Sequence, residues 1–204
     1  MEDKIREMIP RLRGRAWLVA AVLALFLPSA SPLTPVRPLF VFVPPAEAQA
    51  GDLIFRRGTE AVSEAVMLAD GGGYSHVGML AGEPGHWLVV HATPSEVPGR
   101  PDAVVVDTLE FFTAPERSNL QTVYHVQADD KQHQQAVINA RAQIGRPFRM
   151  ADPQGIYCTQ LVSQAWRDAG LDLQVKPTHL HLPLIEGDYL LPGDLRVSPH
   201  LRKL

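Results

Sequence analysis

The sequence predicts an α+β fold in which an antiparallel sheet packs against helices. Strand-like segments follow one another through residues 75–127, and two helix-like segments come after them in residues 130–169. Gly and Pro residues separate neighbouring strand-like segments, as in hairpins. Strands and helices that are segregated along the chain indicate an antiparallel sheet rather than a parallel one.

Residues 1–50 have the pattern of a targeting leader and a proline-rich linker, so residues 51–204 would form the folded domain. Basic residues precede an apolar run over residues 16–27. That run is shorter than the roughly 20 residues of a membrane span and suits the core of a signal peptide. We therefore expect an exported protein, periplasmic or associated with the cell envelope. The leader is either cleaved or kept as an N-terminal anchor that attaches the protein to the membrane.

The individual elements follow from hydrophobic periodicity. Strands are predicted over residues 52–56, 75–81, 87–92, 103–107 and 121–127. Helices are predicted over residues 59–68, 130–144 and 157–169. Residues 82–85 form a hairpin turn, and Gly145 and Gly170 end the last two helices. The Pro- and Leu-rich tail after Leu171 is expected to add only short closing elements.

Composition narrows the possible functions. The chain has 204 residues, a formal net charge of −3 and a single cysteine. A mildly acidic protein is a poor partner for the phosphate backbone, so no nucleic-acid partner is expected. Structural cysteines of exported proteins come in pairs. The lone Cys158 is therefore either a reactive thiol or a small buried apolar residue.

The position of Cys158 favours the reactive thiol. It falls in the first turn of the predicted helix 157–169, directly after a loop. Free N–H groups and the positive end of the helix dipole stabilise a thiolate there. The position predicts a lowered thiol pKa and a nucleophile.

His76 and His91 are the best candidates for its base. His76 begins one predicted strand and His91 ends the next, so a hairpin brings the two rings to one edge of the sheet. That geometry supplies a base and a residue that orients it. The alternative is a pair of strand-end histidines satisfied by backbone carbonyls. The other histidines are expected on the solvated surface, except His125, which could be either; they are His86, His133, His179, His181 and His200.

A zinc site made from the same residues is the weaker alternative. His76, His91 and Cys158 are competent ligands. No second cysteine and no close H-x-x-x-H pair accompanies them. We expect no metal and no other cofactor.

Four segments in this order resemble a known family. They are Gly51–Phe55, Ser75–Met79, Val89–Ala92 and Tyr157–Val162. They are similar to the circularly permuted, YaeF/YiiX-like branch of the NlpC/p60 papain-like superfamily, in which the His strand precedes the Cys helix. The resemblance implies a permuted papain-like (NlpC-type) fold for residues 51–204.

The resemblance also implies roles. Cys158 would be the nucleophile, His76 the base and His91 the third polar residue that orients it. Tyr157 would lie near the oxyanion site, although a packing role at the start of the helix is an equal alternative. The family more often has Glu where this chain has Gln160, which removes the charge at that position.

The function expected is that of a cysteine hydrolase, an amidase or peptidase that acts through a thioester on a cell-envelope amide such as a peptidoglycan peptide. One alternative is a lipid acyl hydrolase or acyltransferase of the permuted branch. Phe111 and Phe112 could then line its pocket, although a core position suits them better. A non-catalytic envelope binding module is the other alternative. The oligomeric state is not indicated.

Overall fold

The structure is a computed structural model and describes residues 41–59, 61–150, 152, 154–182 and 185–204. The basic and apolar parts of the predicted leader lie outside these residues. Phe42, Ala48 and Ala50 belong to the folded part, where they pack in or against a hydrophobic cluster. Within the described residues, no helix is both long and apolar enough to cross a membrane.

Up to residue 168 the elements follow the predicted order, with one short helix added over Leu109–Thr113. In chain order the elements are β1 (Leu53–Gly58), α1 (Ala61–Asp70), β2 (His76–Glu83), β3 (His86–Thr93), β4 (Ala103–Thr108), α2 (Leu109–Thr113), β5 (Ser118–Val126), α3 (Asp130–Arg141), α4 (Cys158–Asp168), β6 (Thr178–Leu182), β7 (Ile185–Tyr189), α5 (Pro192–Arg196) and β8 (Leu201–Lys203).

The main sheet is antiparallel and has the strand order β4-β3-β2-β1-β5-β8. Strand β2 lies between β3 and β1. It pairs with β1, where Phe55 lies opposite Val77, and with β3, where Met79 lies opposite Val90. The short turn after Glu83 makes β2 and β3 a hairpin. The ends of β1 and β3 therefore lie beside the start of β2.

Each face of the sheet carries a core because side chains alternate between the faces. On one face, α3 and α4 pack over a cluster that includes Phe55 and Met79. On the other face, α2 covers Ile54 and Leu80 and contributes the fully buried Phe112. The antiparallel sheet packed against helices is thus the predicted α+β arrangement.

Helix α4 is anchored to the sheet by the buried side chains that follow its first turn. Leu161, Val162 and Trp166 are fully buried on the sheet. Burying each such side chain contributes about 1.5–3 kcal/mol. The Trp166 indole donates a hydrogen bond of 3.2 Å to the carbonyl of Gly51, just before β1. This packing fixes the N-terminus of α4, whose first residue is Cys158, against the sheet.

Two element predictions need correction. The helix predicted over residues 130–144 ends at Arg141, because the chain turns through residues 142–145 and Gly145 adopts a positive φ of 85°. The tail forms more than closing turns. It builds the β6–β7 hairpin and α5, and β8 extends the main sheet by pairing with β5.

Candidate active site

Cys158 and His76 line one cavity at the edge of the sheet. It lies where β1 and β3 end and β2 begins, and its volume is about 70 Å³. The N-terminus of α4, helix α1 and the segment between β7 and α5 supply the other walls. Most of its lining is apolar, from Val66, Pro94, Phe148, Met150, Leu191 and Pro192.

His76 and His91 meet as their places in the strands predict. His76 Nε2 lies 2.9 Å from His91 Nδ1. Extending the β2–β3 register by one pair puts Gly78 opposite His91, so the two rings are diagonal neighbours on one face. A Cβ on Gly78 would lie 2.3 Å from Val89 Cγ1 and 3.2 Å from His91 Cβ. The missing side chain therefore makes room for the pair.

The pair continues into β4. His91 Nε2 lies 3.0 Å from Asp107 Oδ2, and Arg100 donates to Asp107 Oδ1 at 2.7 Å. Burial alone would raise the pKa of Asp107, but the hydrogen bonds from His91 and Arg100 outweigh it and lower the pKa to about 2. Asp107 is thus an ionised acceptor at neutral pH.

These partners assign the protons of both rings. The Asp107 carboxylate can only accept, so His91 Nε2 carries the hydrogen. Burial lowers the pKa of His91, which keeps that ring neutral and leaves Nδ1 as an acceptor. His76 Nε2 must then donate to it. Burial, with the charge of Arg56, lowers the pKa of His76 well below its ordinary value. His76 Nδ1 therefore holds a free lone pair.

Cys158 is half-buried at the first position of α4. Burial raises the pKa of its thiol above the ordinary value, although the backbone N–H groups of Val77, Thr159 and Cys158 and the charge of Arg56 oppose this. The predicted lowering of the thiol pKa is therefore wrong. The helix N-terminus acts in the expected direction, but desolvation is the larger effect.

Tyr157 is the N-cap residue of α4 and also lines the cavity. Its hydroxyl accepts a hydrogen bond of 3.1 Å from the Leu190 backbone N–H. The hydroxyl hydrogen thus remains available for donation. Burial raises the pKa of this phenol, which keeps it protonated. Two residues further on, Thr159 donates to Leu190 O at 2.5 Å and holds the tail segment against α4.

Asp52, His125 and His133 form a second polar cluster on the other side of β1. His125 Nδ1 lies 3.0 Å from Asp52 Oδ1. His133 is buried, not solvated as predicted, and its two ring nitrogens lie 3.0 Å from Ala50 O and 2.9 Å from Val126 O. The ring fits there because α3 packs it edge-on against Trp166.

The predictions of solvent exposure for the other histidines are confirmed for three and not for His200. His86, His179 and His181 are exposed, as predicted, although the last two lie on strand β6 rather than in a loop. His200 is partly buried, and its Nε2 has no hydrogen-bond partner among the described residues. Phe112 belongs to the core and contacts both paired histidine rings, so the alternative that it lines the cavity is wrong.

Sequence reasoning missed three polar residues at this site, namely Asp107, Arg56 and Glu96. Asp107 alternates onto the same face as Val105, the cross-strand partner of His91, so the sequence indicates its position only once the register of β3 and β4 is known. Arg56 is the cross-strand partner of His76. Glu96 lies in a loop, where no periodic pattern indicates its position.

Comparison with known proteins agrees with this fold. The profile of the C92 peptidase family, described as permuted papain-like amidase enzymes of the YaeF/YiiX type, matches residues 47–185. No curated protein matches significantly. A crystal structure titled metalloprotein yiiX, from Escherichia coli O157:H7, is similar in fold with a TM-score of 0.64 and 21% identity, over 80% of this chain and 97% of that one. The chain belongs to the permuted papain-like amidase family C92 and is an enzyme of the cysteine hydrolase class.

Proposed function

We propose that this enzyme cleaves a cell-envelope amide through a thioester on Cys158, with His76 as base and His91 as the residue that orients it. The observation that carries this proposal is the 2.9 Å contact between His76 Nε2 and His91 Nδ1 at the wall of the cavity that also contains Cys158. The contact leaves His76 Nδ1 free to take the thiol proton, as a nucleophile–base pair requires.

The first half of the reaction forms the thioester. The Cys158 thiol gives its proton to His76 Nδ1 while the sulfur attacks the amide carbon. The oxyanion that forms can accept hydrogen bonds from the Tyr157 hydroxyl and the Cys158 backbone N–H, which supports the proposed oxyanion role of Tyr157. His76 then passes the proton to the amine nitrogen, and the C–N bond breaks.

The second half consumes the thioester. Water gives a proton to His76 Nδ1 as its oxygen attacks the acyl carbon. The C–S bond then breaks, and His76 passes that proton to the leaving sulfur, which releases the acid and restores the thiol. Throughout, His91 and Asp107 hold the imidazole so that its proton stays on Nε2. The imidazolium that forms transiently donates to His91 Nδ1, and Asp107 supplies the compensating negative charge.

Trapping the acyl-enzyme tests the proposal. The full chain is incubated with cell-envelope extracts and with defined peptidoglycan peptides, and Cys158 is examined by mass spectrometry for an acyl adduct. We expect an adduct and released amine with the wild type, and neither with Cys158→Ala. His76→Ala should also lose activity. His86→Ala, an exposed histidine of the same hairpin, is its matched control. Full hydrolysis by Cys158→Ala would refute the proposal.

The envelope location rests on the leader predicted in residues 1–50. Fractionation of cells that express the full chain tests it, since an exported protein must be found in the envelope or periplasm. The mass of the protein recovered there reports whether the leader is removed. Recovery only from the cytoplasm would contradict both the location and the envelope substrate.

A lipid acyl substrate is the second candidate, and the apolar lining of the cavity favours it. Comparing peptide amides with short-chain and long-chain phospholipids as donors separates the two candidates, because the adduct mass identifies the acyl group.

No metal-dependent step is proposed. The yiiX protein, which is similar in fold, is described as a metalloprotein, so a metal site in this chain would need residues that fit an ion. Among the described residues, the only set of three or more His, Cys and acidic groups with ligand spacing is Asp52, His125 and His133. Asp52 already accepts from the backbone N–H groups of Gln49 and Val126, and both His133 nitrogens contact carbonyls. An ion would have to displace these bonds, so the cluster does not fit one.

A further inference from the structure

A buried cation lies at the wall of the candidate active site. Arg56 is paired across the sheet with His76 and is only 4% exposed. It lines the cavity together with His76 and Cys158, and no other Lys or Arg does so among the described residues. Nothing in the proposed sequence of bond-forming steps uses it.

The guanidinium of Arg56 is held in place from several sides. One terminal nitrogen donates to Phe112 O at 3.0 Å, and the other lies 2.6 Å from Glu96 Oε1. The group also stacks over the Phe112 ring at 4.5 Å, and that ring contacts His76 and His91. Its Nε has no hydrogen-bond partner among the described residues. The positive charge is therefore fixed beside the reacting pair.

Its counter-ion is also buried but lies farther from the cavity wall. The Glu96 side chain is 3% exposed, accepts from Thr93 Oγ1 at 2.9 Å and lies 3.4 Å from Arg117 Nε. Arg56 lines the cavity, whereas Glu96 does not. Because Coulomb energy falls with distance, the cation dominates the field of the pair at the sulfur.

We propose that Arg56 is a positioning residue for charge: its guanidinium stabilises the Cys158 thiolate during attack and keeps His76 uncharged before it, and Glu96 sets the strength of that field. This inference rests on the proposed role of Cys158 as nucleophile. It assigns to the buried pair a task beyond holding the end of β1.

The directions of the pKa shifts agree with the geometry. The charge of Arg56 opposes the effect of burial on the Cys158 thiol and adds to it on His76. The charge therefore favours the thiolate over the thiol and the imidazole over the imidazolium. Other titratable groups act on the cavity residues directly or through neighbouring residues: His91 on His76, Asp107 on His91, Arg100 on Asp107, Arg117 on Glu96, and Tyr189 and Asp194 on Tyr157.

The thiol pKa distinguishes a purely structural role of the Arg56–Glu96 pair from an electrostatic one. If the pair only holds the fold, removing either partner lowers stability and disturbs the thiol in the same direction. If the pair sets a field, removing the cation and removing the anion shift the thiol pKa in opposite directions. The chain has one cysteine, so alkylation reports on Cys158 alone.

The test is the pH dependence of iodoacetamide alkylation of the full chain, with Arg56→Met, Arg56→Lys and Glu96→Gln compared with the wild type. We expect Arg56→Met to raise the apparent thiol pKa by about 1 and Glu96→Gln to lower it by a similar amount. Arg56→Lys, which keeps the charge, should stay near the wild type. If Arg56→Met does not fold, the opposite behaviour of Glu96→Gln and the rescue by Arg56→Lys still decide the question.

A shift of the same sign in Arg56→Met and Glu96→Gln, or no shift in Glu96→Gln, would overturn the inference. That outcome leaves the proposed function intact if Cys158→Ala abolishes hydrolysis and the wild type forms an adduct. If instead Cys158→Ala hydrolyses normally, the proposed function fails, whatever the titrations show.

Discussion

Replacing Asp107 with asparagine tests the hydrogen-bond relay at the end farthest from the thiol. The carboxylate accepts from His91 on one oxygen and from Arg100 on the other. An asparagine amide offers one acceptor and one donor group in the same space. The asparagine NH₂ group would therefore face a donor, either His91 or Arg100, unless His91 changes its tautomer.

The magnitude follows from the pKa of Asp107, which is lowered from 3.8 to about 2. The shift corresponds to roughly 2 kcal/mol in favour of the ionised form in the folded state. Because the folded pKa is depressed, this stabilisation is fully present above about pH 4 and is lost as the pH falls toward 2. Asp107→Asn should lower the free energy of unfolding by roughly 2 kcal/mol at pH 7 and by progressively less below pH 4.

The effect on activity should be larger than the effect on stability. If the NH₂ group of the asparagine faces His91 Nε2, that nitrogen must accept, so His91 carries its hydrogen on Nδ1. His76 must then accept on Nε2. The His76 hydrogen moves to Nδ1, which blocks the atom that takes the thiol proton. We expect kcat to fall by about 10²- to 10⁴-fold.

Urea unfolding at several pH values and steady-state hydrolysis of the best substrate measure the two effects. Asp102→Asn is a matched control, since Asp102 is an exposed acid just before the same strand, and its side chain accepts from the Ser95 backbone N–H. Asp107→Asn with an unchanged kcat would refute the relay. A stability loss that persists unchanged at low pH would refute its electrostatic origin.

Further predictions concern the space around the pair, the phenol and the pH profile. Gly78→Ala should cost about 1–3 kcal/mol of stability and lower activity, because its Cβ would lie 3.2 Å from His91 Cβ; circular dichroism checks that the fold persists. Tyr157→Phe should lower kcat by about tenfold or more with little change in KM if its hydroxyl binds the oxyanion; equal kcat would exclude that role. The profile of kcat/KM against pH should show a broad plateau, because burial lowers the pKa of His76 and raises that of Cys158. A narrow bell centred near pH 6 would contradict it.

The core of the site could be predicted from sequence because it depends on local patterns. Strand alternation and one short hairpin turn are enough to bring His76 beside His91. Helix periodicity and the preceding loop are enough to place Cys158 at a helix start. Each of these inferences needs only residues that are near in sequence, or two strands joined by a turn.

The remainder depends on contacts that no local pattern encodes. Asp107 reaches His91 only because β4 pairs with β3 in one particular register, and a shift by one residue would turn it to the other face. His133 looked solvated because its helix neighbours are polar, yet α3 packs it between carbonyls of distant segments. The cavity wall formed by the segment between β7 and α5 depends on the contact of Leu190 with Tyr157, which lie 33 residues apart in sequence.

The pKa of the Cys158 thiol shifts opposite to the sequence prediction, although the helix N-terminus acts in the predicted direction. The N-terminus of α4 and Arg56 both favour the thiolate, but burial in the cavity removes hydration that a free thiolate needs. Burial also lowers the pKa of His76, so the thiol and the imidazole are both neutral at neutral pH. In the proposed mechanism, the proton passes from the thiol to the imidazole only as charge develops on the substrate carbonyl. Hydrogen-bond donors held for that oxyanion lower the barrier most under these conditions, since they act on a charge that the resting enzyme does not carry.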